Sequence, residues 1–232
     1  ILSYPDAVSA SDAMGRRLTN QARLDEIRTA AATPVTVSGL SGRSLERLSR
    51  SLEEYGLTVR PRFLVAGRGG WGSSGSSSVQ DPCAPGRDTP DMVPGSAIGV
   101  QLVRGDIEAT AFGTVTYVDG DAFLAFGHPI LSKGSSALAA CSASVHSIIK
   151  SDSAPFKILA SGVPVGVITQ DRLNGVSGQL GKTDAYVPVS IGVEDRETGR
   201  NKRISVSIVP EESLIAEMFG VAALATVDGV TD

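Results

Sequence analysis

"GTVTYVDGDAFLAFGHPI", residues 113–130, decides how the chain is read. Val115, Tyr117 and their Thr neighbours alternate before Asp119-Gly120, and the apolar run 122–126 follows at once. That is the pattern of two antiparallel strands joined by a tight hairpin, with Asp119-Gly120 expected as the turn pair. The second strand runs into Gly127-His128-Pro129, so one of the chain's 2 histidines stands where a loop leaves a sheet.

Working outward, the same texture fills the chain after Pro94. "AIGVQLV", "TAFGTVTYV", "AFLAFG", "SVHSIIK", "PFKILA", "VGVITQ", "YVPVSIGV" and "KRISVSIV" are strand-length apolar runs rich in Val, Ile and Thr, separated by glycine-containing turns. Such a series, without long intervening helices, predicts a mainly β domain over 91–232, a barrel or sandwich rather than a parallel α/β sheet. "EESLIAEMFGVAALATVDG" predicts a closing helix with Leu214, Ile215, Met218 and Phe219 on its apolar face.

Before that domain, residues 1–66 read as a small α/β element. The first thirty-odd residues have partial helical spacing that stops before Pro34, and "TPVTVSGL" reads as a strand. Leu45, Leu48, Leu52 and Tyr55 recur at intervals of three and four, predicting a helix from about Ser44 to Tyr55, capped by Ser41 or Ser44 and closed by Gly56. A Gly/Ser/Pro-rich stretch, 67–90, separates this element from the β domain and reads as a surface loop.

Composition bounds the function. Hydrophobic residues at 41% and charged residues at 20% place the chain among globular proteins, well able to bury a core. A formal charge of −4, with no run of basic residues, argues against nucleic acid as a partner. No uninterrupted apolar stretch reaches the length needed to cross a bilayer, so no transmembrane segment is expected. "ILSYPDAVSA" lacks the pattern of a secretory signal, and without an initiator Met the numbering is expected to begin inside a longer precursor. Cys83 and Cys141 have no metal-type spacing; outside the cytoplasm they could pair, subject to a geometry that sequence does not give. No carboxylate lies at a characteristic spacing from His128 or His146, so neither a metal nor a cofactor is expected.

Three roles are open to His128: general base, metal ligand, or turn residue bonding a backbone carbonyl. Gly127 removes a side chain beside the ring and Pro129 stiffens the backbone after it. A histidine so placed can deprotonate a nearby hydroxyl if its other nitrogen is held in the right tautomer. Among candidate partners, Ser177 sits in "NGVSGQLG", where flanking glycines leave room for substrate and an oxyanion hole, although a turn is the simpler reading. Ser135, Ser136, Ser142 and Ser144 carry no distinguishing signal, Asp171 beside Arg172 reads as a surface or inter-loop ion pair, and Asp106 in "RGD" reads as a turn residue. His146, alternating with Val145 and Ser147, reads as a strand residue.

The run "PGSAIGVQLVRGDIEATAFGTVTYVDGDAFLAFGHPIL" resembles the start of the peptidase domain of the SpoIVB serine-peptidase family, in which a Gly-Thr-Val/Met-Thr strand leads through a hairpin to a Gly-His pair. "SVHSIIKSDSAPFKILASGVPVGVITQDRLNGVSGQLG" and "YVPVSI" resemble later stretches of that domain, and "TPVTVSGLSGRSLERLSRSLEEYGL" resembles its lead-in in long bacterial secreted proteins. The resemblance implies a chymotrypsin-like double barrel, an extracytoplasmic location, a protein or peptide substrate, and His128 as general base. The family's nucleophile lies in a Gly-Met-Ser-Gly-Ser-Pro segment with an acid shortly before it, and residues 1–232 contain neither; nor is a PDZ insertion evident. Two functions follow as expectations: a serine endopeptidase-like domain whose Ser and Asp come from elsewhere, or a non-catalytic structural or binding module of a cell-surface homo-oligomer.

Overall fold

The structure is a computed structural model and describes residues 33–61, 90–150, 156–182 and 186–231. The expected N-terminal helix, Cys83 and nearly all of the Gly/Ser/Pro-rich loop lie outside these residues. The element order is β1 (Thr33–Ser38), α1 (Gly42–Glu53), β2 (Leu57–Pro61), β3 (Ala97–Gly105), β4 (Glu108–Asp119), β5 (Ala122–Ala125), β6 (Gly134–Ile149), β7 (Phe156–Arg172), β8 (Gly175–Leu180), β9 (Val187–Glu194), β10 (Asn201–Ile208) and α2 (Glu212–Thr231). The protein is mainly β with a C-terminal helix, as its run of short apolar segments predicts.

All ten described strands belong to one sheet, ordered β2-β1-β4-β5-β8-β7-β6-β3-β10-β9, and β4 also pairs with β3. That extra pairing closes β3, β4, β5, β8, β7 and β6 into a six-stranded ring, every pair antiparallel. Closure leaves these strands without the exposed edges that an open sheet presents. Two extensions leave the ring: β1 pairs with the start of β4 and β10 with the end of β3. Strand β1 pairs in parallel with β2, and α1 is the crossover that parallel pairing requires. Strands from residues 33–61 and 97–208 therefore share one hydrogen-bonded sheet, although residues 62–96 separate them in sequence.

Local chemistry accounts for most elements. Helix α1 begins two residues before the expected start and buries Ser44, Leu48 and Leu52. Ser41 is its N-cap without a side-chain bond, whereas the Ser44 hydroxyl donates to the Ser41 carbonyl at 2.8 Å. The β4–β5 hairpin turns on Gly120-Asp121, one residue later than expected, because Asp119 pairs with Ala122. Of these two residues Gly120 alone takes a positive φ, 56°, which is the demand of a turn with glycine at its first central position.

The two longest strands differ most from expectation. From Phe156 onward the run "PFKILA" joins "VGVITQ" in one 17-residue strand, β7, paired with the 16-residue β6. Gly162 and Pro164 read as a break, but register shifts around Cys141 absorb them, and a side chain on Gly162 would collide with the Ser142 hydroxyl.

The core joins both sides of the sequence: Val35, Leu48 and Leu52 with Ile98, Val100, Leu138, Ile208, Leu214 and Met218. Helix α2 packs on α1, β9 and β10. It is long and apolar enough to match a membrane span in length and composition, which the sequence reading did not anticipate, yet it buries Leu214, Met218, Val221, Ala222, Ala225, Thr226 and Val230 in the structure. Phe219, expected on the apolar face, is 49% exposed, because the buried stripe runs through Met218 and Val221–Ala222.

Candidate functional site

His128 sits between β5 and β6 on a segment, 126–133, whose shape is fixed at several points. Phe126, Gly127, Ser132 and Gly134 all take φ between 57° and 76°. For Phe126 and Ser132 this is an unusual conformation that surrounding contacts must impose. The Phe126 amide donates to the Thr114 carbonyl at 3.1 Å and its ring covers Gly113, where a Cβ would lie 2.7 Å from it. Around Gly127 there is open space, so its requirement is conformational.

The second half of the segment is held by Asp171. Its carboxylate accepts the Ile130 amide at 2.8 Å and the Leu131 amide at 2.6 Å, with Asp171 only 1% exposed. Sequence reading took Asp171 for a surface or inter-loop ion pair beside Arg172, and the structure corrects that. Alternation along β7 sends Asp171 inward and Arg172 outward, where the guanidinium bonds Gln170 at 2.7 and 3.0 Å. A buried carboxylate meeting two backbone donors is compensated by charge-assisted hydrogen bonds.

The His128 ring is exposed and edge-on to Phe126, with centroids 5.6 Å apart. Nδ1 lies 2.9 Å from the Pro129 carbonyl and 3.2 Å from the Thr33 hydroxyl. A carbonyl can only accept, so Nδ1 carries the proton and Nε2 of the neutral ring keeps its lone pair. No described residue hydrogen-bonds Nε2.

The expected partners are not gathered around this ring. Ser177 lies on β8, paired with Leu124 and Gln170, so the turn reading of "NGVSGQLG" fails. Gly178 is closely packed by its neighbours: a Cβ there would lie 2.0 Å from the Val167 carbonyl and 2.7 Å from the Phe123 ring, so its missing side chain leaves no room for a substrate. The Ser136 and Ser142 hydroxyls donate to the Ile168 and Val163 carbonyls. His146 is exposed on β6. Asp106 is a turn residue, as expected, and accepts the Ser205 amide at 2.6 Å. Among the described residues no three His, Cys, Asp or Glu side chains are grouped to hold a metal ion.

Sequence reasoning missed one hydroxyl–carboxylate pair. Glu108 on β4 accepts the Ser161 hydroxyl of β7 and the Thr110 hydroxyl at 3.2 Å. These residues are 53 positions apart, and no local spacing signals their meeting. No described histidine hydrogen-bonds this pair.

No protein-family model, curated protein or solved structure matches this chain.

Proposed function

We propose that the chain is a serine endopeptidase-like domain of the SpoIVB type, in which His128 serves as general base. The observation that carries the reading is the Nδ1 contact with the Pro129 carbonyl, which selects the tautomer with Nε2 unprotonated on an exposed ring. Pinning by Asp171 and Phe126 supports it, because a base acts best from a geometry that does not reorganise. The six-stranded ring is compatible with one barrel of a chymotrypsin-like arrangement. In this reading the nucleophile and its acid come from outside residues 1–232 or from another part of an extracytoplasmic assembly, and the substrate is a protein or peptide.

A second reading is favoured by a different observation. The Nδ1 partners are a carbonyl and a hydroxyl rather than a carboxylate, as in a histidine that ties down a turn. Under it the domain is a non-catalytic structural or binding module, self-associating at the cell surface. Fluorophosphonate labelling separates the two. The longest natural form of the protein should be labelled, and His128→Ala should abolish labelling; absence of labelling in the wild type supports the module. The 232-residue chain alone is expected to show no peptidase activity, and turnover abolished by Ser177→Ala would overturn the assignment of Ser177 to a structural strand.

A further inference from the structure

We infer that the face of β3, β10 and β9 holds an oxyanion site, for a carboxylate or phosphate group of a small ligand, with Arg104 as its principal donor. A groove of about 380 Å³ runs over these strands, lined by Arg104, Gly105, Pro188, Ser190, Ser205 and Ser207 among others. Its size lies within the range of small-ligand clefts. Strand register explains the grouping. Ser207 pairs with both Arg104 and Pro188, and Ser205 pairs with Ser190, so all five positions share one face.

Arg104 is held in place without its donors being used. Its guanidinium stacks over the Tyr186 ring, 4.3 Å from the centroid, and stacking engages the flat face while the N–H groups point outward in plane. Tyr186 is fixed in turn by its hydroxyl, which donates to the Gln101 side chain at 3.0 Å, and Gln101 is fully buried. Among the described residues Arg104 has no carboxylate partner and no hydrogen bond from its guanidinium, and the hydroxyls of Ser190, Ser205 and Ser207 have no side-chain hydrogen bond. The nearby acid, Asp106, is engaged by the Ser205 amide. A planar fork of donors beside three hydroxyls matches the acceptors of an oxyanion, and among the described residues no acidic side chain lines the groove. The site is independent of the chemistry of His128.

The test is an amide and arginine side-chain NMR titration of the 232-residue chain, with sodium phosphate in one arm and sodium succinate in the other, at constant ionic strength set with chloride. Saturable shifts of the Arg104 Nε–H and of the Ser190, Ser205 and Ser207 amides are expected in at least one arm, which identifies phosphate or carboxylate as the preferred group. Arg104→Gln should weaken that binding by ~10-fold or more, as loss of a charge-assisted fork. Arg104→Lys, which keeps the charge but not the fork, should weaken it less, and Tyr186→Phe, which releases the ring from Gln101, should weaken it while the spectrum elsewhere is retained. No saturable shift in either arm at ~10 mM anion, or binding that Arg104→Gln and Arg104→Lys leave unchanged, overturns the inference.

Discussion

Replacing Asp171 tests whether a single buried carboxylate shapes the His128 segment. The perturbation removes the acceptor for two amides whose residues, Ile130 and Leu131, are 2% and 6% exposed. A hydrogen bond to a charged group contributes ~1.5–3 kcal/mol, so Asp171→Ala, which leaves both donors unmet, should cost ~3–6 kcal/mol. Asp171→Asn keeps the shape and one acceptor oxygen but turns an NH2 group toward the other amide, so about half that loss, ~1.5–3 kcal/mol, is expected. In a domain of this size the Asn variant should melt lower by on the order of 5–10 °C. Urea unfolding gives the total, and amide hydrogen exchange at Ile130 and Leu131 localises it. A loss under ~0.5 kcal/mol with both amides still protected would refute the clamp, since that is the size of an ordinary surface substitution.

Three further outcomes follow from the same structure. Leu48→Ala in α1 should cost ~2–5 kcal/mol as a core truncation and Arg50→Ala, on the wet face, under ~0.5 kcal/mol, as urea midpoints will show. His128→Ala should cost ~1 kcal/mol, the value of one hydrogen bond lost from Nδ1, measured by thermal melting. The α1–α2 contact should respond to pH: Arg47 hydrogen-bonds Glu217 at 2.7 and 2.8 Å, and this bond, aided by the charges of Arg47 and Arg50 against partial burial, holds the Glu217 carboxyl below its ordinary range. A lowered carboxyl stabilises the fold above its unfolded value, ~4.3, and loses that contribution as pH falls through the folded value. Melting curves of wild type and Glu217→Gln should therefore differ at neutral pH and converge in acid, with the difference shrinking in salt.

The β-rich class and the inward face of α1 were legible because both rest on local period: Val and Ile in short runs, and Leu48 and Leu52 four apart. What escaped depends on partners distant in sequence. Strand β8 was read as a turn because Ser177 stands between Gly175-Val176 and Gly178, yet Gly178 is there to admit the Phe123 ring and the Val167 carbonyl of neighbouring strands. Asp171 looked like half of an ion pair because Arg172 adjoins it, whereas strand alternation sends the two side chains apart. His128 was singled out from its Gly-His-Pro setting, but its contact with Thr33, 95 positions away, has no local signature.

The ring is built from two meanders of sequence-adjacent antiparallel strands, β3-β4-β5 and β6-β7-β8, and it closes along two seams, β3 with β6 and β5 with β8. Segment 126–133 is the link between them. Its first half hangs from Thr114 in one meander and its second from Asp171 in the other. Each meander can assemble from nearby contacts, while the seams must wait for chain closure, which costs entropy before it returns contacts. The His128 corner is thus the joint of the barrel, with each of its halves anchored in the meander it adjoins. Folding and unfolding rates of Asp171→Asn beside the wild type will place that joint before or after docking: a slower refolding marks it as formed early, a faster unfolding alone as formed late.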